Sequence, residues 1–273
     1  MEKLYGLLGE KLTHSYSPII HNIIFKNIDT KAHYHLFEIE GNNLKNVMES
    51  LKTLSIQGVN VTIPYKIEIM KYLDGVASEA EKIGAVNTIC INDNKAVGYN
   101  TDYYGFGMML NKFHISVKDR QAIILGTGGA AKAVFHYLVD KGIKEITFVS
   151  RDNNKKNNFS KDINIISYEQ LKGIKNNNIL INCTPVGMSP KVNESPISKN
   201  DMTNSETIID LIYNPKETLL LRQAKELKLQ GVNGLHMLVA QAVKAEELWN
   251  DIIVSSDVID NIYNEVNTYT QYL

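Results

Sequence analysis

Short apolar runs alternate along this chain with stretches whose hydrophobic residues recur at helical spacing, a pattern that predicts strands each followed by a helix. Residues 4–9 form the first strand candidate. Ser17-Pro18 then predicts a helix start, with Ser17 as N-cap and Ile19, Ile20, Ile23 and Ile24 as the buried face. Residues 33–39 alternate as a second strand, and Leu44, Val47, Met48 and Leu51 mark the helix after it. Residues 58–63 are a third strand, closed by Pro64-Tyr65-Lys66. Ser78-Glu79-Ala80-Glu81 offers a capping box and Gly84 a helix stop. Asn92-Asp93-Asn94 reads as a hairpin turn between residues 85–91 and 96–99. From Asp102 onward, Tyr104, Met108, Met109 and Phe113 return to helical spacing.

The second half repeats the alternation around one stretch. Gln121 to Leu125 is an apolar run that ends at Gly126 and leads into a helix marked by Ala130, Ala131, Val134, Leu138 and Val139. Gly126-x-Gly128-x-x-Ala131 fits the dinucleotide fingerprint. Its first glycine makes the turn, the second lets backbone approach a pyrophosphate, and a small third residue packs helix on strand. The helix amino terminus then offers unpaired N–H groups and a partial positive charge to phosphate. Gly142 is a C-cap candidate, and residues 146–149, 179–182 and 208–211 are further strands. Residues 219–227 form a helix ended by Gly231, residues 235–242 a mostly apolar helix carrying Gln241, and Val258, Ile259, Ile262, Tyr263 and Val266 a last helix expected to pack on the amino-terminal domain. Alternating strands and helices predict parallel sheets, whose ligands bind beyond the carboxyl ends of the strands.

Bulk properties narrow the class. A chain of 273 residues suggests about two domains at ~150 residues each. With 44% hydrophobic and 22% charged residues it reads as a globular protein. The 29 basic against 30 acidic residues, net −1, leave no electrostatic footprint for nucleic acid or an anionic membrane. The expected partner is a small molecule. Cys90 and Cys183 each sit in or just after an apolar run, which predicts two buried thiols in a reducing cytoplasm. The amino terminus turns polar too quickly for a signal peptide, and no run approaches ~18 apolar residues.

Polar groups gather at the strand ends. His14, Ser15 and Ser17 lie at the first strand-to-helix junction, where they either cap the helix or converge on an anion. Asn60, Thr62 and Lys66 follow the third strand. Asn87-Thr88 and Asn100-Thr101-Asp102 bracket the hairpin, with Asp102 either an ordinary N-cap or a site carboxylate. Together these hydroxyl, amide, lysine and carboxylate groups are what a small polyhydroxylated acid requires. At the end of residues 146–149, Ser150-Arg151-Asp152 carries competing signals. Arg151, with Lys155 and Lys156 nearby, favours the 2′-phosphate of NADP, whereas Asp152 suits the 2′-hydroxyl of NAD.

With these motifs in order, the chain resembles the shikimate dehydrogenase family from its first strand to its last helices. The resemblance is carried by residues 9–22 with their His-Ser-x-Ser-Pro core, by 60–66 (Asn-Val-Thr-Ile-Pro-Tyr-Lys), and by 84–88 and 100–102. It continues through 126–130, 182–188, Asp210-x-x-Tyr213-x-Pro215, and 234–242. It implies an α/β fold of two α/β domains. These are a substrate-binding and catalytic domain over 1–103, completed by helices in about 238–273, and a Rossmann-type doubly wound NADP-binding domain over 104–237. It implies Lys66 and Asp102 as the catalytic pair, Ser15 and Ser17 on the substrate carboxylate, and Thr62, Asn87, Tyr213 and Gln241 placing the ring and hydroxyls. Gly126, Thr127, Gly128, Gly129, Ala130, Ser150 and Arg151 would hold the dinucleotide, and Leu211, Gly234 and Met237 would approach the nicotinamide. The implied reaction is the reversible NADPH-dependent reduction of 3-dehydroshikimate to shikimate, in the shikimate pathway to chorismate and the aromatic amino acids. It needs no metal, and Lys66 acts as proton donor or as electrostatic clamp.

Two features depart from the family's pattern: His236 stands where a smaller residue is common, and Ser150-Arg151-Asp152 replaces the Asn-Arg-Thr of many NADP-dependent members. NAD thus stays open beside NADP, as does an NAD-dependent quinate/shikimate dehydrogenase. A dinucleotide-binding protein of the same fold without turnover is the alternative from another class. The resemblance leaves monomer and homodimer both open.

Overall fold

Two six-stranded sheets organise the chain. The computed structural model describes residues 2–13, 15–151, 159, 163–172, 174, 178–202 and 204–270. The sheets belong to two compact units, residues 1–105 with 239–273, and residues 106–238.

The first unit runs β1 (Lys3–Gly9), α1 (Ser17–Asn27), β2 (Ala32–Glu38), α2 (Val47–Thr53), β3 (Gly58–Val61), β4 (Gly75–Val76), α3 (Ser78–Ile83), β5 (Thr88–Asn92), β6 (Lys95–Tyr99) and the start of α4 (Thr101–Lys112). Its sheet is ordered β2-β1-β3-β5-β6-β4. β1 is parallel to β2 and β3, but β5 is antiparallel to both β3 and β6, so this sheet is mixed where strand-helix alternation predicted a parallel one. Asp93 and Asn94 take the left-handed conformation (φ 48° and 61°) and close the two-residue turn between β5 and β6, as the hairpin reading expects, whereas the antiparallel pairing of β5 on β3 joins strands distant in sequence and is decided by the tertiary structure.

Because side chains alternate across a strand, the two faces of this sheet bury different sets. Leu8, Val59, Val61, Ile89 and Ile91 pack on one side with Val47, Met48 and Leu51 of α2. Tyr5, Leu7, Tyr34 and Cys90 pack on the other, with Phe25 of α1 and with Ala245 and Trp249 of a later helix. Each such fully buried large side chain contributes about 1.5–3 kcal/mol relative to exposure.

The second unit continues with β7 (Gln121–Leu125), α5 (Gly129–Asp140), β8 (Glu145–Val149), β9 (Asn164–Ile166), α6 (Tyr168–Leu171), β10 (Ile179–Asn182), β11 (Thr207–Asp210), α7 (Leu219–Glu226), β12 (Gln230–Asn233) and the start of α8 (Leu235–Asn250). Its strands are all parallel, in the order β12-β11-β10-β7-β8-β9. Succession runs outward one way from β7 through β8 to β9, and the other way from β10 through β11 to β12. The reversal between β7 and β10 is where a doubly wound sheet opens a crevice for a ligand. The remainder of α8 and α9 (Ser256–Tyr269) belong to the first unit, where α9 packs on α1. Among the described residues no helix is long and apolar enough to cross a membrane.

Several local expectations are corrected. α1 is capped at Tyr16 and not at Ser17, which is the first helical residue; its N–H donates to Ser15 Oγ at 3.2 Å. The buried face of α1 is Ile20, His21, Ile24 and Phe25, whereas Ile19 and Ile23 are half-buried beside α9. The face is turned by the packing of His21, which apolar periodicity alone does not register. Ser78 lies inside α3, whose cap position is Ala77, so no capping box forms. Gly231 does not end a helix: α7 stops at Leu227, and Gly231 lies within β12, an edge strand too short and too polar to stand out by pattern. β9 was likewise not expected. Both cysteines are free thiols, but only Cys90 is buried; Cys183 is half-buried. His14, Asp152, Lys155 and Lys156 lie outside the described residues.

Candidate active site

Lys66 follows β3 through a turn that other strands hold in place. Tyr65 N–H donates to Thr62 O and the Tyr65 hydroxyl to Ile39 O at 2.6 Å, while Lys66 O accepts from Val86 N–H at 2.7 Å. The side chain, 18% exposed, meets Asp102 with Nζ to Oδ2 at 2.5 Å. Asp102 is the second residue of α4, and the helix is capped by Asn100, whose Oδ1 accepts from Tyr103 N–H at 3.3 Å. Capping by Asn100 leaves the Asp102 carboxylate for the site.

The second carboxylate oxygen, Oδ1, accepts from Asn87 Nδ2 at 2.8 Å. Asn87 is buried and held in turn, since its Oδ1 accepts from Thr101 N–H at 2.7 Å and from Thr88 Oγ1 at 3.1 Å. Gln241 of α8 brings Oε1 to 3.3 Å from Thr101 Oγ1 and 3.5 Å from Asn87 Nδ2, so it is half-buried within this network and not simply a solvent-facing amide. Asn60 sits inside β3, accepting from the Tyr34 hydroxyl at 2.7 Å and donating to Thr88 Oγ1 at 3.0 Å. An unbroken polar chain therefore runs from Tyr34 through Asn60, Thr88 and Asn87 to Asp102 and Lys66. Ser15, Ser17 and Thr62 lie in the same unit, each half-buried. Tyr34 is the member that sequence reasoning missed. Its only signal was a place on the inward face of β2, which equally suits a packing residue.

In the second unit, Gly126 ends β7 at φ 96°, a left-handed conformation that a side chain would strain. Gly128 is the N-cap of α5 with no side-chain cap, and a Cβ there would meet nothing within 4 Å. Thr127, Gly129 and Ala130 are half-buried around it. Open space over a bare helix start, with no acidic residue in its first turn, is what a pyrophosphate needs. At the end of β8, Ser150 is buried and Arg151 exposed. These residues fit a dinucleotide, and an arginine at that position fits a 2′-phosphate.

Leu211, Tyr213, Gly234 and Met237 belong to this unit as well, so Tyr213 is the one expected substrate residue that the second unit carries. A Cβ on Gly234 would run into the Leu211 backbone, which only glycine permits. His236 is buried and meets the Phe113 ring edge-on at 6.2 Å.

The turn that carries Leu211 and Tyr213 is anchored by Asp210. This fully buried carboxylate accepts from Thr218 Oγ1 at 2.6 Å, Asn182 Nδ2 at 3.0 Å and Ile212 N–H at 3.2 Å. Burial nevertheless pushes it up to about 6, the three donors opposing only in part. A carboxyl raised in the fold contributes stability that is fully present below its ordinary range and is lost as pH rises through about 6. Above that the fold carries an ionised buried group, at a cost of about 3 kcal/mol from the two proton affinities. Asp210→Asn should therefore flatten the dependence of the melting temperature on pH between about 4 and 7. Parallel melting curves for both proteins across that range would contradict this assignment.

The chain matches two family models, "Shikimate dehydrogenase substrate binding domain" over residues 7–89 and "Shikimate / quinate 5-dehydrogenase" over residues 108–233. It is 50% identical over 264 residues to the shikimate dehydrogenase (NADP(+)) of Clostridium beijerinckii, covering 96% of this chain and 97% of that one. Among solved structures it resembles shikimate dehydrogenase 1 from Peptoclostridium difficile, at 44% identity and TM-score 0.90, covering 98% of each chain. It also resembles a chorismate mutase/shikimate 5-dehydrogenase fusion protein from Clostridium acetobutylicum, at 43% identity and TM-score 0.95, again over 98% of each. Both halves of the chain match, and relatives align along almost their whole length, so the likeness extends well beyond a shared dinucleotide fold: this chain belongs to the shikimate dehydrogenase family.

Proposed function

We propose that the protein catalyses the reversible NADPH-dependent reduction of 3-dehydroshikimate to shikimate, with Lys66 and Asp102 as its catalytic pair. The observation that carries this reading is the 2.5 Å contact between them, with Asn87 holding the opposite carboxylate oxygen. In this reading residues 1–103, with helices in about 238–273, bind the substrate, and residues 104–237 bind the dinucleotide. The nicotinamide, when bound, supplies or takes up the hydride.

Reduction of a ketone leaves negative charge on its oxygen. The Lys66 ammonium neutralises that charge and donates a proton, and in the oxidising direction its amine takes the proton back. Asp102 aims the amine and Asn87 aims Asp102, so the network fixes the direction of proton transfer before substrate arrives. Ser15 and Ser17, at the start of α1, hold the substrate carboxylate, while Thr62, Asn87, Tyr213 and Gln241 place the ring and its hydroxyls. Thr127, Gly129 and Ala130 complete the phosphate turn that Gly126 and Gly128 form. Ser150 and Arg151 receive the 2′-phosphate, and Leu211, Gly234 and Met237 line the nicotinamide. Two free thiols suit the reducing cytoplasm, and we place the enzyme there, as a monomer or homodimer.

Steady-state assays crossing NADP and NAD with shikimate and quinate test this. Shikimate with NADP should exceed shikimate with NAD by ~10-fold or more in kcat/KM, as loss of a charge-assisted 2′-phosphate contact predicts, and should also exceed quinate with NADP. Equal use of NAD and quinate would favour a quinate/shikimate dehydrogenase. Absence of any shikimate-dependent change in nicotinamide absorbance would leave a dinucleotide-binding protein without turnover.

A further inference from the structure

One turn along α1 from Ser17, His21 meets Glu246 of α8, Nδ1 to Oε1 at 2.5 Å, with the two side chains 1% and 0% exposed. Burying two ionisable groups forfeits several kcal/mol of hydration apiece, and packed apolar side chains would join two helices as well. The pair is therefore best understood through what it holds in place.

His21 lies four residues after Ser17, on the same face of α1, and Glu246 lies five residues after Gln241 on α8. The imidazole stacks on the Tyr34 ring at 3.9 Å and 11°. Tyr34 in turn donates to Asn60 at 2.7 Å. Burial and the nearby Glu246 carboxylate keep the Tyr34 hydroxyl in its O–H form, able to donate. The other Glu246 oxygen accepts from Asn250 Nδ2 at 2.9 Å, and Asn250 Oδ1 accepts from Lys3 Nζ at 2.7 Å and the Tyr5 hydroxyl at 3.3 Å. Trp249 donates to Ile89 O at 3.0 Å and fills the space a Cβ on Gly58 would need. The carboxyl half of α8 is thus locked to β1, β3 and β5. His21 joins that lock through Nδ1 alone, since its Nε2 meets no hydrogen-bond partner among the described residues.

We propose that His21 and Glu246 are positioning residues, whose buried contact sets the spacing between Ser17 on α1, with Ser15 just before that helix, and Gln241 on α8, and seats Tyr34 against the imidazole. This rests on the reading of those three residues as substrate groups. Glu246→Leu removes the link, whereas Glu246→Gln keeps an acceptor for the Nδ1–H and turns its –NH2 toward Asn250, giving up that second bond while the His21 contact stays. With NADP saturating, E246L should raise the shikimate KM ~10-fold, the scale of a sub-ångström misplacement, while kcat and the NADP KM stay within about twofold. E246Q should restore the shikimate KM to within about twofold of the unaltered protein.

A purely structural pair would lower the melting temperature of E246L and leave the shikimate KM of the folded protein unchanged, which overturns the proposal, as does an equal KM in E246L and E246Q. If E246L does not fold, His21→Phe with Glu246→Leu removes both buried ionisable groups at once and is read the same way. Shikimate turnover with an invariant KM overturns the link alone; absence of shikimate turnover in the unaltered protein overturns it together with the proposed function.

Discussion

Lys66→Ala lowers turnover with shikimate and NADP by ~10²-fold or more, the usual scale for loss of general acid-base help, and leaves the NADP KM near its original value. The expectation follows from position. Lys66 provides the ammonium at the Asp102 carboxylate, delivered by a turn whose backbone is tied to Leu8 and Val86 and whose Tyr65 hydroxyl is tied to Ile39. Alanine keeps that turn, since none of those bonds uses the lysine side chain. The variant should therefore fold, bind dinucleotide and fail at the proton. Its kcat is read from nicotinamide absorbance, beside a far-ultraviolet spectrum that confirms the fold. Turnover above about a tenth of the original would remove Lys66 from the chemistry.

Asp102→Asn should lower kcat by a similar ~10²-fold, although the substitution is nearly isosteric. A carboxylate accepts on both oxygens, and here both are used, one by Lys66 Nζ at 2.5 Å and one by Asn87 Nδ2 at 2.8 Å. An amide has one acceptor oxygen, so its –NH2 must face one of those two donors. That mismatch costs ~1–3 kcal/mol and frees either the amine or the amide that aimed the carboxylate. Because the two residues act as one unit, the double variant K66A with D102N should fall no more than a few-fold below K66A alone. Losses that multiply would show that lysine and carboxylate act separately, and the paired mechanism would not survive that result.

The cofactor half was the more legible part of the site. Gly126 and Gly128 are adjacent in sequence to the helix they serve, so one local stretch carries turn, open backbone and helix start together, and all three appear in α5 and its approach. The substrate half was legible only as a gathering of polar residues at strand ends. Nothing local joins Lys66, Asn87, Asp102 and Gln241, which four separate segments contribute. Asp102 illustrates the difficulty, because a carboxylate before an apolar run also reads as a cap, and only the placement of Asn100 in that role releases it. The Tyr34 and His21 side chains lay on faces that packing explains equally well, so no pattern set them apart.

What the amino-acid order alone determined was everything that depends on period and on local backbone chemistry. This comprises the alternation of strand and helix, the hairpin at Asp93-Asn94, the glycine turn at Gly126, and the family to which these motifs in this order belong. What only the tertiary structure decided was which polar groups meet. It made the first sheet mixed, recruited the short polar edge strand β12, turned α1 so that His21 faces inward, and brought Glu246 to it across more than two hundred residues of chain. The physical reason is that periodicity reports which face of an element is buried, but not against what. A buried histidine, carboxylate or tyrosine is defined by the partner that replaces its water, and that partner is supplied by a distant segment.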